Sequence, residues 1–141
     1  MIGGVVVPHH KGADGHSDAD VLIHAIMDAL LGAAGMRDIG FHFPDRDPEY
    51  HNISSKRLLA QCMEMIRDRG YELGNVDATV CLQRPRIADY IAGMQRTLAE
   101  TMGVREDQVG VKVTTTEHLG FVGREEGIAA YAVALLLSSS S

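Results

Sequence analysis

The sequence predicts an α/β domain of layered, α+β-like character: a small mixed β-sheet with helices packed on one face. Three observations lead there. Segments of helical period alternate with segments of period two; Gly, Pro, Asp and Ser punctuate nearly every boundary; and 141 residues, 45% of them hydrophobic, suffice for one sizeable core but not for two. One domain is expected over residues 1–137, with the serine run 138–141 as a disordered tail.

"IGGVVVP" reads as a short strand stopped by Pro8, and "HHKGADG" as the loop after it. A first helix is expected from about Ser17 to near Gly35, where glycine can take the left-handed cap conformation. "MRDIGFHFPDRDPEYHNI" is long for a structureless connection, which marks it as a candidate active-site loop. "SSKRLLAQCMEMIRDRG" is an amphipathic helix with Leu58, Leu59, Cys62, Met63 and Ile66 on one stripe and Gly70 past its end. "GNVDATVCL" alternates as a strand with Val76, Ala78, Val80 and Leu82 on one face. A further helix is expected over about Ile87 to Met102, stopped by Gly103, then a strand through Val109, Val111 and Val113. "GIAAYAVALLL" suits a buried strand or a helix; its shortness and its bounds, Gly127 and the serines, favour the strand.

Composition excludes several functions. Thirteen Lys and Arg against nineteen Asp and Glu leave a net charge of -6, the wrong sign for a general nucleic-acid binder or an anionic-membrane binder. Cys62 and Cys81 form no CxxC pair and sit in apolar runs, as reduced buried thiols do. No apolar run reaches the roughly 18 residues of a membrane span, and no basic leader is visible, so a bacterial cytosol is expected before a plastid. The P-loop, the G-x-G-x-x-G fingerprint and the G-x-S-x-G elbow are all missing from the sequence.

Three constellations carry chemistry. In "GHSDADVLIH", Ser17 to Asp20 matches a capping pattern, so these residues can do no more than satisfy the first free amides of the helix. Asp20, His24 and Asp28 fall at i, i+4 and i+8 and share a polar stripe, while Leu22, Ile26, Ala29 and Ala33 define another. A histidine so placed is more often paired with a carboxylate than bound to a metal. His16, just before the helix, is placed either to donate to a phosphoryl oxygen or to sit in solvent. In "VTTTEHLGFVGREEG", Thr114, Thr115 and Thr116 can cap a turn or hold a diphosphate, Glu117 can ligate a divalent cation, and Arg124 adds a fixed cation. In "LQRPRIADY", Arg84 and Arg86 flank Pro85 just after a strand, as a phosphate site or as a solvated turn.

Taken together, "HSDADVLIHAIMDALLGAAGMRDIGFHFPDRD", "GYELGNVDATV", "RPRI" and "VKVTTTEHLGFVGREEGIAAYAVALL" resemble, in order and over nearly the whole chain, the 2-C-methyl-D-erythritol 2,4-cyclodiphosphate synthase family of the non-mevalonate isoprenoid pathway. The most specific parts are H-S-D-x-D-x-x-x-H, D-I-G-x-x-F-P-D-x-D and T-T-T-E-x-L-G-F-x-G-R. The resemblance implies a homotrimer with its sheets around a central axis and its active sites between subunits. It also implies a lyase that converts 4-diphosphocytidyl-2-C-methyl-D-erythritol 2-phosphate to the 2,4-cyclodiphosphate and CMP. An already ionised phosphate would be the nucleophile, so catalysis would rest on positioning and charge neutralisation.

Carried over by residue, His24 is similar to the family's histidine zinc ligand, and His16 and Thr115 to the pair that stabilises the phosphoryl transition state. Ser17, Asp38, Ile39, Gly40, Phe43, Pro44, Asp45 and Asp47 would surround the methylerythritol phosphate portion. Leu82, Pro85, Arg86, Ile87 and Ala88, with Thr114, Thr115 and Thr116, would line the cytidine diphosphate pocket of the neighbouring subunit. Arg86 stands where the family commonly has lysine, keeping the charge but changing its geometry. Glu117 would hold magnesium or manganese between the phosphates, and Phe121 and Arg124 would lie near the trimer axis, where family members can hold an isoprenoid diphosphate.

One departure stands out. The family carries Asp-x-His on a strand before the point matching Met1, and those two upstream side chains are absent here. A catalytic zinc takes three protein ligands and an open position, so His24 alone leaves the zinc site incomplete. His9 and His10 lie in a variable loop and are not taken as replacements. Three explanations are open, an upstream start, a shortened chain or a natural variant with impaired zinc binding, and the intact remaining motifs favour the first two; if the 141 residues are the whole chain, weak zinc affinity and little turnover are expected. The alternative is a catalytically impaired trimer that only binds a cytidine nucleotide or an isoprenoid diphosphate.

Overall fold

The first helix starts at a carboxylate. In the computed structural model, which describes residues 1–5, 20–44, 54–82, 88–114 and 128–138, helix α1 spans Val21–Ala33 and Asp20 is its N-cap. The start expected near Ser17 is corrected: Asp20 itself accepts from Ile23 N at 3.1 Å, the bond a cap residue makes, and Ser17 lies outside the described residues. At the other end Gly35 has φ +71, the left-handed stop that was expected.

The strand expected over Ile2–Pro8 is corrected over Ile2–Val5 alone. Ile2 and Val5 exchange both backbone hydrogen bonds, at 2.9 and 3.0 Å, across Gly3 and Gly4, whose φ values are +59 and +77. That is the two-residue hairpin turn for which Gly-Gly is a signal, because both central residues need positive φ. A Cβ on Gly3 would come within 2.9 Å of Met94 Cγ, and one on Gly4 within 2.6 Å of Thr97 Cγ2, so the turn sits directly against the helix that carries those residues. Residues 6–8 lie outside the described part.

After α1 a short helix, α2, spans Ile39–His42 inside the connection read as a loop. Helix α3 spans Ser55–Asp68 with Ser54 as N-cap, and it buries Leu59, Cys62, Met63 and Ile66 as the stripe required; Leu58 is half-buried. Strand β1 runs Tyr71–Cys81, starting before the expected Gly74, which instead sits at a register irregularity between Leu73 and Asn75. Gln108 Nε2 donates to the carbonyls of Leu73 and Gly74 there, at 2.9 and 3.2 Å. A single 3-10 turn at Ala88–Tyr90 precedes helix α4, Ile91–Met102, so the α-helix begins later than the expected Ile87; it ends on left-handed Gly103, φ +69. Strand β2 is Val109–Thr114 and strand β3 is Ala129–Ser138. Ser138, read as the first residue of the tail, is the last of β3, held opposite Tyr71.

The sheet order is β2-β1-β3, with β1 and β2 parallel and β1 and β3 antiparallel, a mixed sheet as expected. Its inner face presents Val76, Ala78 and Val80 from β1, Val109, Val111 and Val113 from β2, and Ala130, Ala132, Ala134 and Leu136 from β3. Three alanines in alternation give β3 a low profile, and α1 lies against it. Leu22, Ile23, Ile26, Met27, Leu30 and Leu31 of α1 are buried there, each such side chain contributing about 1.5–3 kcal/mol. The outer face differs: Tyr131, Val133, Leu135 and Leu137 of β3 are 53–74% exposed.

Candidate functional site

The polar stripe of α1 organises what surrounds it. Asp20 is 2% exposed, and its two oxygens accept from Gly3 N (2.9 Å) and Gly4 N (2.7 Å) as well as from Ile23 N. A buried carboxylate is tolerated because three amide donors replace its lost hydration. It therefore joins the hairpin turn to the helix start, the capping and orienting role that its spacing left open.

One turn on, His24 is half-buried, with Nε2 3.4 Å from Ser55 Oγ at the start of α3, the long end of hydrogen-bond reach. Its backbone N–H donates to Asp20 O at 2.9 Å, so the imidazole is carried on regular helix from the first turn. A cleft of about 80 Å³ lies beside this contact, lined by Gly4, Asp20, Ile23, Ser54, Ser55 and Lys56. Another turn on, Asp28 Oδ1 accepts from Ile39 N at 2.9 Å and fastens α2 to α1.

Around α2 the chain is tightly constrained. Arg37 has φ +72, the one positive value among the described non-glycine residues, and its guanidinium lies 4.4 Å from the centroid of the Phe41 ring. Asp38 is the N-cap and accepts from Phe41 N at 3.2 Å. His42 Nε2 lies 2.6 Å from Met36 O, and the buried Phe43 donates its N–H to Ile39 O at 2.7 Å. Pro44 follows, half-buried. Gly40 is exposed, and a Cβ there would meet nothing within 4 Å, so no described protein atom demands a glycine at this place.

A second group forms where β1 and β2 end. Buried Leu82, just past β1, donates its N–H to Thr114 O at the end of β2, at 3.0 Å. Both lie at the C-terminal edge of a parallel strand pair, the edge where open α/β sheets place ligands, and exposed Ala88 opens the 3-10 turn beyond. Thus His24, Asp38, Ile39, Gly40, Phe43 and Pro44 gather about α1 and α2, and Leu82, Ala88 and Thr114 about the sheet edge. His16, Ser17, Asp45, Asp47, Pro85, Arg86, Ile87, Thr115, Thr116, Glu117, Phe121 and Arg124 lie outside the described residues.

Among the described residues no three His, Cys, Asp or Glu side chains come together as a metal cluster. Of the three stripe residues, Asp20 and Asp28 are each engaged by backbone amides, which leaves His24 as the imidazole donor. Cys62 on α3 is no candidate ligand: burial, and secondarily the charge of Asp28, push its thiol up to about 12 from 9.0, whereas a ligating thiol must lose its proton. Two contacts escaped the sequence reading, Ser55 beside His24 and Ile39 N on Asp28. The Ser-Ser pair signalled only a helix start, and the stripe marked Asp28 without its partner.

A mixed sheet backed by helices, with a polar stripe leading to a capped Asp-Ile-Gly turn, brings an imidazole and an exposed turn backbone onto one framework, as a small-molecule site requires. The YgbB family model matches residues 1–137. A 2-C-methyl-D-erythritol 2,4-cyclodiphosphate synthase from Porphyromonas gingivalis is 60% identical over 138 residues, covering 98% of this chain and 85% of that protein. The bifunctional IspDF of Campylobacter jejuni superposes with a TM-score of 0.91 at 40% identity, over 100% of this chain and 39% of that one. A CDP-bound 2-C-methyl-D-erythritol 2,4-cyclodiphosphate synthase gives 0.86 at 33% identity, over 97% of this chain and 89% of that one. The chain belongs to the YgbB family, that of the 2-C-methyl-D-erythritol 2,4-cyclodiphosphate synthases.

Proposed function

We propose that this chain performs the reaction its relatives are named for: a lyase step that closes 2-C-methyl-D-erythritol 2,4-cyclodiphosphate and releases CMP from the 4-diphosphocytidyl 2-phosphate substrate. The observation that carries the reading is 60% identity over 98% of the chain to a synthase so named. In this reaction an oxygen of the 2-phosphate bonds to the β-phosphorus, and the bond from that phosphorus to the bridging oxygen breaks. CMP leaves with the electron pair.

The substrate halves divide between the two groups of residues. The turn at Asp38, Ile39 and Gly40, with Phe43 and Pro44 behind it and Ser17, Asp45 and Asp47 near it in the motifs, takes the methylerythritol phosphate. Gly40 favours this, since an exposed glycine with open space at its Cβ lets a ligand approach the backbone. Leu82, Ala88 and Thr114, with Pro85, Arg86, Ile87, Thr115 and Thr116, take the cytidine diphosphate of a neighbouring subunit. His16 and Thr115 donate to the oxygens that gain charge as the phosphorus passes between partners.

The family uses metal ions. His24, whose imidazole nitrogen suits zinc, would hold one cation at a site it leaves incomplete by itself, and Glu117 would hold magnesium or manganese. Bound there, these cations would neutralise phosphate charge that -6 of protein charge otherwise repels. A homotrimer fits the outer face of β3, where Tyr131, Val133, Leu135 and Leu137 stand exposed in alternation as a stripe that a second and third copy would cover. Phe121 and Arg124 would then lie near the axis, within reach of an isoprenoid diphosphate. No described helix is long and apolar enough to cross a membrane, and a polar nucleotide substrate suits a bacterial cytosol.

Incubating the full chain with the cytidyl substrate, zinc and magnesium, and following ³¹P resonances, is expected to yield CMP and cyclic diphosphate in equal amounts, at a low rate because His24 alone leaves the zinc site incomplete. CDP binding without CMP release would replace the enzyme with the nucleotide-binding trimer.

A further inference from the structure

Helix α2 has four residues, too few to hold itself together, and a cap side chain reaches only the second or third amide of a helix. Asp38 does this for Phe41 N. The first amide, that of Ile39, is beyond its own cap, and the carboxylate of Asp28 on α1 accepts it at 2.9 Å from eleven residues away in sequence. The residue before the cap, Arg37, stands at φ +72, a conformation that a long side chain keeps only when its surroundings impose it. The turn is thus bent at one end and fastened at the other, and Asp28 is the fastening. It projects from the stripe that carries His24, one helical turn away, so a single rigid helix fixes both the imidazole and the Asp38–Gly40 backbone.

We propose that Asp28 is a positioning residue: by accepting Ile39 N–H it holds the Asp38–Gly40 turn in the register that receives the methylerythritol phosphate portion, without touching the substrate. This rests on the reading of that turn as a substrate contact. Ile39 adds its side chain to the core edge while its amide faces Asp28, so loss of the carboxylate frees the turn but leaves the core in place. Asparagine at 28 keeps an oxygen that can accept the same amide; alanine does not.

The test uses the full chain, with two probes, the 2,4-cyclodiphosphate product for the methylerythritol half and CDP for the cytidine half. Asp28→Ala is expected to weaken product binding about 10-fold or more, to leave CDP affinity within about twofold, and to speed exchange of the Ile39 amide at least about 10-fold. Asp28→Asn is expected to stay within about threefold of the parent protein on all three. A third variant, Gly40→Val, places a side chain on the exposed turn where its Cβ meets no described atom, and it reports on the turn directly. Product binding lost in Gly40→Val but kept in Asp28→Ala would overturn the role of Asp28 and leave the turn as a substrate contact. Product binding kept in both would overturn the turn itself and the proposal with it. Equal loss of product and CDP in Asp28→Ala, or an unchanged Ile39 amide, would reduce Asp28 to a general structural residue.

Discussion

The apolar face of α1 and its polar stripe belong to one helix but bind the molecule by different means. Leu22, Ile23, Ile26, Met27, Leu30 and Leu31 are held by burial, which is non-directional and shared among many neighbours. Asp20, His24 and Asp28 each meet one or a few named atoms: the amides of Gly3 and Gly4, the hydroxyl of Ser55, the amide of Ile39. Damage to the first face, or to the buried cap Asp20, should therefore appear as lost stability, and damage at His24 or Asp28 as lost binding or chemistry in a protein that still folds.

The largest expected effect lies on the apolar face. Leu30→Ala, at a position with no exposed surface, should lower the unfolding free energy by about 2–5 kcal/mol in urea titrations while the CDP affinity of the folded fraction stays unchanged. A fall in CDP affinity along with stability would mean that the two faces are not separable.

His24→Ala probes the other side. Turnover should drop on the order of 100-fold, equivalent to about 2.7 kcal/mol in the barrier, with bound zinc falling in parallel and the urea midpoint nearly fixed. A destabilised His24→Ala protein that still turned over substrate would reassign this histidine to packing.

Cys62 gives the smallest and most graded effect, because it is buried with the core yet feels Asp28. Burial first, and the Asp28 charge second, hold its thiol up to about 12 in the folded protein against 9.0 for an ordinary thiol. The unfolded chain therefore releases this proton from about pH 9 upward while the folded one retains it. Stability from this group is complete below pH 9 and is lost between 9 and 12, at up to about 1.4 kcal/mol per pH unit. Urea titrations at pH 8 and pH 10.5 should reveal that slope in the parent protein and its absence in Cys62→Val, and iodoacetamide at pH 8 should leave native Cys62 unmodified. Rapid modification would mean an accessible thiolate and a core open at α3.

Much of the fold was legible where the signal is local. The stripe of α3 named four of its buried residues, Gly35, Gly70 and Gly103 marked three element ends with positive φ, and β1 and β2 alternate as written. The ambiguous apolar run at Ala129–Ser138 is a strand, and its inner alanines and outer large side chains separate only once the sheet is seen. At the N-terminus, Gly3-Gly4 already carried the hairpin signal that the strand reading of Ile2–Val5 passed over. Within the site, His24 and the Asp-Ile-Gly motif could be named from sequence, but not what holds them.

Sequence alone determined which residues are apolar, at what period they recur and where the chain must turn, because these preferences act over a few neighbouring residues. It also carried the family, since the motif residues themselves are chemical groups in fixed order. Tertiary structure decided the pairings between distant segments: β1 placed between β2 and β3, Asp20 under the Gly3-Gly4 turn, Ser55 beside His24, and Asp28 against Ile39. A hydrogen bond needs its two atoms within about 3 Å, and only the packing of α1 between the sheet and α3 brings these together.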